Sequence, residues 1–343
     1  MLEAAHHDPA IGSSTVYCVD RRFGVAGRLP YHQAVRLPRV SPRAYRRITL
    51  LALCAQVFIM VTGAAVRLTG SGLGCSDWPK CEQDQLVAPL EYHAMIEFLN
   101  RTITGLVSVA VIAAVLGSLL RSPRRSDLTW WSLGLVAGVI GQIILGGLTV
   151  LFELHPPFVI AHFLLSIVLV WNSYVLFVRA GHAEGPALPA VAPVVRRLGR
   201  ALVVLAGLAL FTGTIVTGAG PHGGDETVER LPLELVAVVR VHSLTVWAFL
   251  ALAVVTLGVL GRRGAPRDVD LRAKALMAAI CVQGAIGYIQ YFTDVPPALV
   301  LVHVFGSIMV WLAVLSFDLS LTVRPLEREE RPTETQPERV TTS

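Results

Sequence analysis

Eight apolar segments constrain this chain more than any other feature. They fall near residues 47–68, 95–120, 129–151, 157–178, 199–219, 236–260, 272–292 and 298–321. The hydrocarbon core of a bilayer takes about 20 residues of apolar helix to cross. Inside it no water reaches the backbone, so each segment must be an α-helix that satisfies its own N–H and C=O groups. The reading is an all-α integral membrane fold of eight transmembrane helices, with the lipid bilayer as its main solvent. The charge content agrees. Only 15% of residues are charged and the mean hydropathy is +0.61, against roughly 25% charged in soluble domains.

The basic residues gather in alternate loops. Arg43, Arg46 and Arg47 precede the first span, and Arg121, Arg124 and Arg125 follow the second. Arg179, Arg196, Arg197 and Arg200 lie between the fourth and fifth. Arg262, Arg263, Arg267, Arg272 and Lys274 lie between the sixth and seventh, and Arg324, Arg328 and Arg331 follow the last. The opposite loops carry little beyond Arg67, Lys80 and Arg230. The positive-inside rule then puts both termini in the cytoplasm. The net charge of +5 belongs to this asymmetry, so no nucleic-acid partner is read from it. Residues 1–45 carry arginines, few acids and no apolar run, which reads as a disordered cytoplasmic tail. A start codon set too far upstream would give the same composition. Residues 324–343 form a second tail.

An internal repeat organises the spans. Spans three and four read Gln142-x-x-x-Gly146, Glu153-Leu154-His155-Pro156-Pro157, His162-x-x-x-Ser166 and Trp171. Spans seven and eight read Gln283-x-x-x-Gly287, Thr293-Asp294-Val295-Pro296-Pro297, His303-x-x-x-Ser307 and Trp311. The Gln, Gly, His and Ser positions keep one offset, and the prolines slip by one. Thr62-Gly63-x-x-Val66 in span one matches Thr212-Gly213-x-x-Val216 in span five. The expectation is two pseudo-repeated four-helix bundles, 46–180 and 181–323. Four spans per half makes them parallel.

Three histidines, His162, His242 and His303, lie inside spans, each about 7–10 Å below the outer surface at ~1.5 Å per residue. A lone intramembrane histidine commonly does no more than hydrogen-bond between helices. Three at one depth, two of them repeat-equivalent, fit the axial ligation of a haem held between helices. His242 and His303 share one half and suit one iron. His162 is the first-half counterpart of His303. The counterpart of His242 is Asn100. His93 and His155 fall at the outer interface and His222 in an outer loop. His93 lies about two turns above Asn100, within reach of a pocket mouth. His6, His7, His32 and His182 fall on the cytoplasmic side.

Glu97, in Met95-Ile96-Glu97-Phe98-Leu99-Asn100-Arg101, admits two readings. It can be an interfacial carboxylate paired with Arg101 at i+4. It can also face the first-half pocket, one turn above Asn100, and take protons or stabilise a cation there. Arg101 can alternatively pair with a haem propionate. Cys75 and Cys81 lie in the first outer loop, where the compartment permits a disulfide. That disulfide is a staple or an exchange partner for electrons or thiols. Cys54 and Cys281 read as small core residues.

Together these residues resemble the haem A synthase family over about residues 46–320. The resemblance rests on the loop cysteine pair, Glu97 with Arg101, Gly146-Gly147-Leu148-Thr149-Val150 running to His162, Arg240-Val241-His242, and Pro296-Pro297 running to His303. It implies a bacterial plasma-membrane protein with haem sites near the outer face. It implies an oxidoreductase that converts the C8 methyl of haem O to a formyl group, giving haem A for cytochrome oxidase. By the same resemblance His242 and His303 hold a permanent haem b. The substrate haem O sits in the first half, with His162 as ligand, Asn100 and Arg101 in its pocket, and Glu97 at the reacting methyl. A haem O-producing farnesyltransferase and an electron acceptor are the implied partners. Nothing in the residues excludes a homo-oligomer.

The sequence departs from the family at Asn100, where many members carry a second first-half histidine. The substrate iron is then held by His162 alone, or by another group such as His93. The second-half cysteine pair of some members is also missing. The competing reading is a di-haem b membrane electron-transfer protein of the quinol-linked cytochrome b type, which needs two ligands per haem.

Overall fold

The computed structural model describes residues 39–82 and 87–326. The segments 1–38 and 327–343, with His6, His7, Cys18, His32, Arg328 and Arg331, lie outside the described residues. The chain forms α1 (Pro42–Leu68), α2 (Tyr92–Leu120), α3 (Ser126–Leu151), α4 (Pro156–Ala180), α5 (Pro193–Ala219), α6 (Leu235–Arg263), α7 (Arg267–Phe292) and α8 (Pro297–Ser320). Two short strands, β1 (Leu188–Pro189) and β2 (Thr322–Val323), pair antiparallel. All eight helices are long and apolar enough to cross a membrane. Their outward faces carry large bare apolar side chains such as Leu51, Trp130, Leu244 and Phe292, which suits contact with lipid.

Several helices start before the apolar runs do. α1 begins at Pro42, and Ser41 caps it by accepting from the Ala44 N–H at 3.2 Å. A Ser cap followed by Pro is a strong helix start. The last residues assigned to the tail are therefore helical, and Tyr45 is fully buried, 2.9 Å from the Ser132 hydroxyl. α5 and α7 likewise extend by about a turn and a half, because the helix continues through the charged interface that bounds the hydrocarbon.

Neighbour relations are the same in each set of four. α1 packs on α2 and α4, and α3 on α2 and α4; α5 packs on α6 and α8, and α7 on α6 and α8. α2 and α4 bring no Cα atoms within 8 Å of each other, nor do α6 and α8, so each pair stands diagonally across its set. The two sets join through α1 on α8 and through α4 on α5 and α8. One core cluster crosses this joint, with Met60 and Ile167 from the first set and Leu202, Phe249 and Trp311 from the second. The Trp311 indole N–H donates to the Ile167 carbonyl at 3.2 Å.

The corners between α3 and α4 and between α7 and α8 match. Glu153 and Leu154 have φ of 49° and 59°, and Asp294 and Val295 have φ of 60° and 56°. These pairs are separated by the same interval as the histidines, although the prolines that follow slip by one. In each corner the second residue donates its N–H five residues back, Leu154 to Thr149 at 2.7 Å and Val295 to Gln290 at 2.9 Å. That bond closes a helix end of the Schellman kind without glycine.

At the end that carries the arginine-rich loops, Arg121 and Arg125 are buried rather than solvated. Arg125 donates to the carbonyls of Arg179 and His182 and pairs with Asp127, and Arg324 donates to the Gly185 carbonyl. At the other end, Gly72 donates to Gly224 at 2.8 Å and Arg67 to the His222 carbonyl at 2.8 Å, tying the α1–α2 and α5–α6 connections together. Cys54 and Cys281 correct an expectation: neither is packed in the core, and both are exposed, Cys281 where it lines the space between the helices. A hydrophobic pattern cannot separate a lipid-facing position from an interior one, because both are apolar.

Candidate functional site

One open cavity of about 1980 Å³ lies between the helices. That volume exceeds the roughly 300–1,000 Å³ of a site for one drug-sized ligand. Among its lining residues are His162, His242 and His303, together with Glu97, Asn100 and Arg101. The sequence-derived residues of both halves thus border one space. His93, His155 and His222 are not among the lining residues. The His93 Nδ1 lies 2.9 Å from the Ser71 hydroxyl, and the His222 Nε2 lies 2.9 Å from the Val295 carbonyl.

Each of the three cavity histidines rests against a glycine on the adjacent helix. A Cβ placed on Gly146 would lie 3.4 Å from His162 Cε1, one on Gly213 would lie 3.3 Å from His242 Cε1, and one on Gly287 would lie 3.1 Å from His303 Cε1. Glycine allows the ring to approach the neighbouring backbone this closely. The repeat motifs thereby gain a physical meaning: Gln-x-x-x-Gly and Thr-Gly are the surfaces on which imidazoles lie.

The hydrogen bonds behind the rings differ. The His242 Nδ1 lies 3.1 Å from the Thr212 hydroxyl, which itself donates to the Leu208 and Ala209 carbonyls. With the hydroxyl accepting from Nδ1–H, the Nε2 lone pair of His242 would be free for a metal. The His303 Nδ1 lies 3.0 Å from the side-chain amide of Gln283, which also donates to the His303 carbonyl at 2.8 Å. In the first half the matching Gln142 bonds the His162 carbonyl at 3.0 Å and the Ser166 hydroxyl at 2.6 Å. The His162 Nδ1 is buried and finds no partner among the described residues.

Glu97 makes the i+4 pair with Arg101 and also borders the cavity. It is buried, and its Oε1 accepts from Arg101 Nε at 3.1 Å and from the Arg101 NH2 group. Its Oε2 accepts the Cys75 backbone N–H at 2.8 Å. Arg101 spends its other N–H groups on the carbonyls of Asp77 and Lys80, at 3.0 and 2.9 Å, and stacks over Trp78 at 5.1 Å. Its guanidinium is thus committed to the loop. Cys75 and Cys81 are joined as a disulfide with Cα atoms 4.4 Å apart, and both are buried. Trp78, inside that ring, presses on Gly147 and lines the cavity. The Glu97–Arg101 pair thereby fastens the disulfide loop to α2 at the cavity.

Sequence reasoning missed three cations. Arg67, Arg230 and Arg240 also line the cavity. Arg67 and Arg230 had been read as loop charges, and Arg240 only as a letter of the Arg240-Val241-His242 motif. Among the described residues no three His, Cys, Asp or Glu side chains gather as a bare metal site. Two imidazoles from diagonally placed helices instead fit an iron whose equatorial ligands come from a macrocycle.

Comparison with known proteins gives a consistent set. A family model described as cytochrome oxidase assembly protein, COX15-CtaA, matches residues 46–315. The heme A synthase of Exiguobacterium sibiricum is 25% identical over 48% of this chain and 56% of its own length. The heme A synthase of Geobacillus kaustophilus is 28% identical over 38% of this chain and 45% of its own length. A protoheme IX farnesyltransferase of Thermus thermophilus is 36% identical over 69 residues, 20% of this chain and 11% of that protein. The chain spans about half the length of the heme A synthases it matches.

Proposed function

The chain belongs to the COX15-CtaA family of cytochrome oxidase assembly proteins, and on that premise we propose that it is a haem A synthase. In this reading it is a multi-pass membrane oxidoreductase that converts the C8 methyl of haem O to a formyl group, giving haem A for cytochrome oxidase. The observation that carries the reading is the asymmetry of the two halves around one cavity. The second half offers two imidazoles, each with its Nδ1 engaged by a neighbouring side chain. Such partners fix the orientation of each ring. The first half offers one imidazole with no such partner, beside a buried carboxylate. A permanent cofactor belongs in the first arrangement and a substrate that must leave belongs in the second.

His242 and His303 would hold haem b, which when bound supplies one-electron redox chemistry between the substrate and an external acceptor. His162 would hold the substrate haem O. Glu97 is fixed by Arg101 and by the Cys75 N–H, so its carboxylate keeps one position at the cavity wall. From there it would take a proton from the reacting carbon or stabilise positive charge on it. Arg67, Arg230 and Arg240 would meet the propionates, because guanidinium pairs with carboxylate in a fixed fork geometry. Both termini would face the cytoplasm, with the haem sites near the outer face. The farnesyltransferase name of one partial relative supports a haem O-producing enzyme as functional neighbour.

The test is the identity of the pigment. The protein is purified after co-expression with a haem O source, and its haems are extracted and weighed by mass spectrometry. Haem A, or its hydroxylated precursor, together with haem b supports the reading. Haem b alone would make the protein a membrane cytochrome.

A further inference from the structure

The two halves differ most where Asn100 stands. In the second half, His242 of α6 lies on Gly213 of α5, with its Nδ1 3.1 Å from the Thr212 hydroxyl. In the first half α1 carries the same Thr62-Gly63 pair, yet nothing rests on it. A Cβ on Gly63 would meet no atom within 4 Å, and the Thr62 hydroxyl bonds only its own helix, at the Ile59 carbonyl. Asn100 of α2 lines the cavity, and its Oδ1 is buried with no hydrogen-bond partner among the described residues. A buried amide oxygen without a donor is costly, by about 1–3 kcal/mol, unless something else supplies one. Three alternative groups are occupied. His93 is held by Ser71 and does not line the cavity. Both Glu97 oxygens are taken by Arg101 and Cys75. Met60 lines the cavity but is packed into the core cluster that joins the two halves.

Resting on the haem reading of the first half, we propose that His162 is the only protein ligand of the iron there, and that Asn100 borders an exchangeable coordination position on the opposite face. The ligand of that position is water or hydroxide, whose O–H supplies the donor the Asn100 Oδ1 lacks. The haem of the second half, gripped by two imidazoles, has no such position. This arrangement lets substrate haem enter and leave by breaking one protein–iron bond.

The probe is carbon monoxide added to the reduced protein, purified after co-expression with a haem O source so that both haems are present. About one equivalent of CO should bind per protein, and the spectral change should belong to haem O or haem A, not to haem b. Asn100→His should place an imidazole on Gly63, convert that haem to a six-coordinate low-spin form and abolish CO binding. Asn100→Ala should keep CO binding and lose the water-derived ligand signature in the oxidised spectrum. Two haems with no CO binding would overturn the proposal and point to a protein ligand such as Met60. Unchanged CO binding in Asn100→His would also overturn it. A preparation that never carries more than one haem would sink the two-haem reading beneath it, which separates that failure from the others.

Discussion

The Thr212 hydroxyl lies 3.1 Å from the His242 Nδ1, within hydrogen-bond distance. Thr212→Ala should therefore weaken haem b binding by about 10-fold or more, the usual effect of losing a partner behind a metal-bound imidazole. Thr212→Ser should restore it. Haem titration of the stripped protein reads the difference. Glu97 has two tasks that separate by variant. Glu97→Gln keeps the shape and removes the charge, so haem b content should hold while haem A yield falls about 100-fold, the scale of a lost acid–base group. Glu97→Ala strands the mostly buried Arg101 and should also destabilise the protein by about 3 kcal/mol, seen as earlier thermal unfolding in detergent. The three histidines and Glu97 were legible in the sequence because a polar group within an apolar run stands out. Thr212, Gln283 and the glycines were visible only as repeat marks. Their role depends on which helix lies beside which, and no local pattern encodes that. The commitment of Arg101 to the carbonyls of Asp77 and Lys80 was hidden for the same reason.

At the level of elements, eight spans followed from apolar length alone, but their ends did not. The helices start at caps such as Ser41-Pro42, which lie in charged sequence outside the hydrocarbon. The corners before α4 and α8 were marked by prolines, whereas their left-handed residues gave no signal. Leu154 and Val295 are poor choices for positive φ, and β-branched Val295 (φ 56°) is the worse of the two. Val295→Gly should relieve about 1 kcal/mol of that strain and raise the unfolding temperature. A lower unfolding temperature would mean that packing of the Val295 side chain outweighs the backbone cost. Both corners sit directly above the turns that carry His162 and His303, so their geometry sets the height of those imidazoles.

Across the whole molecule, two sets of four helices with the same neighbour pattern share one cavity and are stitched together at both ends. The arginines that gave the topology reading turn out partly buried. Arg121 and Arg125 hold loop carbonyls, Arg121 at Pro123 and Arg125 at Arg179. If both termini are cytoplasmic, a fluorescent protein fused after the last residue should glow and an exported phosphatase fused there should be inactive. The opposite pair of results would reverse the orientation and move the cavity's arginine-lined end to the other face. Composition pointed to eight membrane-crossing helices. The single cavity common to both sets was not legible, since it depends on how the helices are arranged around it.

The most direct test is electron paramagnetic resonance of the oxidised, haem-loaded protein. A low-spin ferric signal of the bis-imidazole type is expected, present in the wild type and in His162→Ala, and absent in His242→Ala and in His303→Ala. If that signal survives loss of either His242 or His303, imidazoles from α6 and α8 do not grip the iron, and the functional reading built on them is wrong.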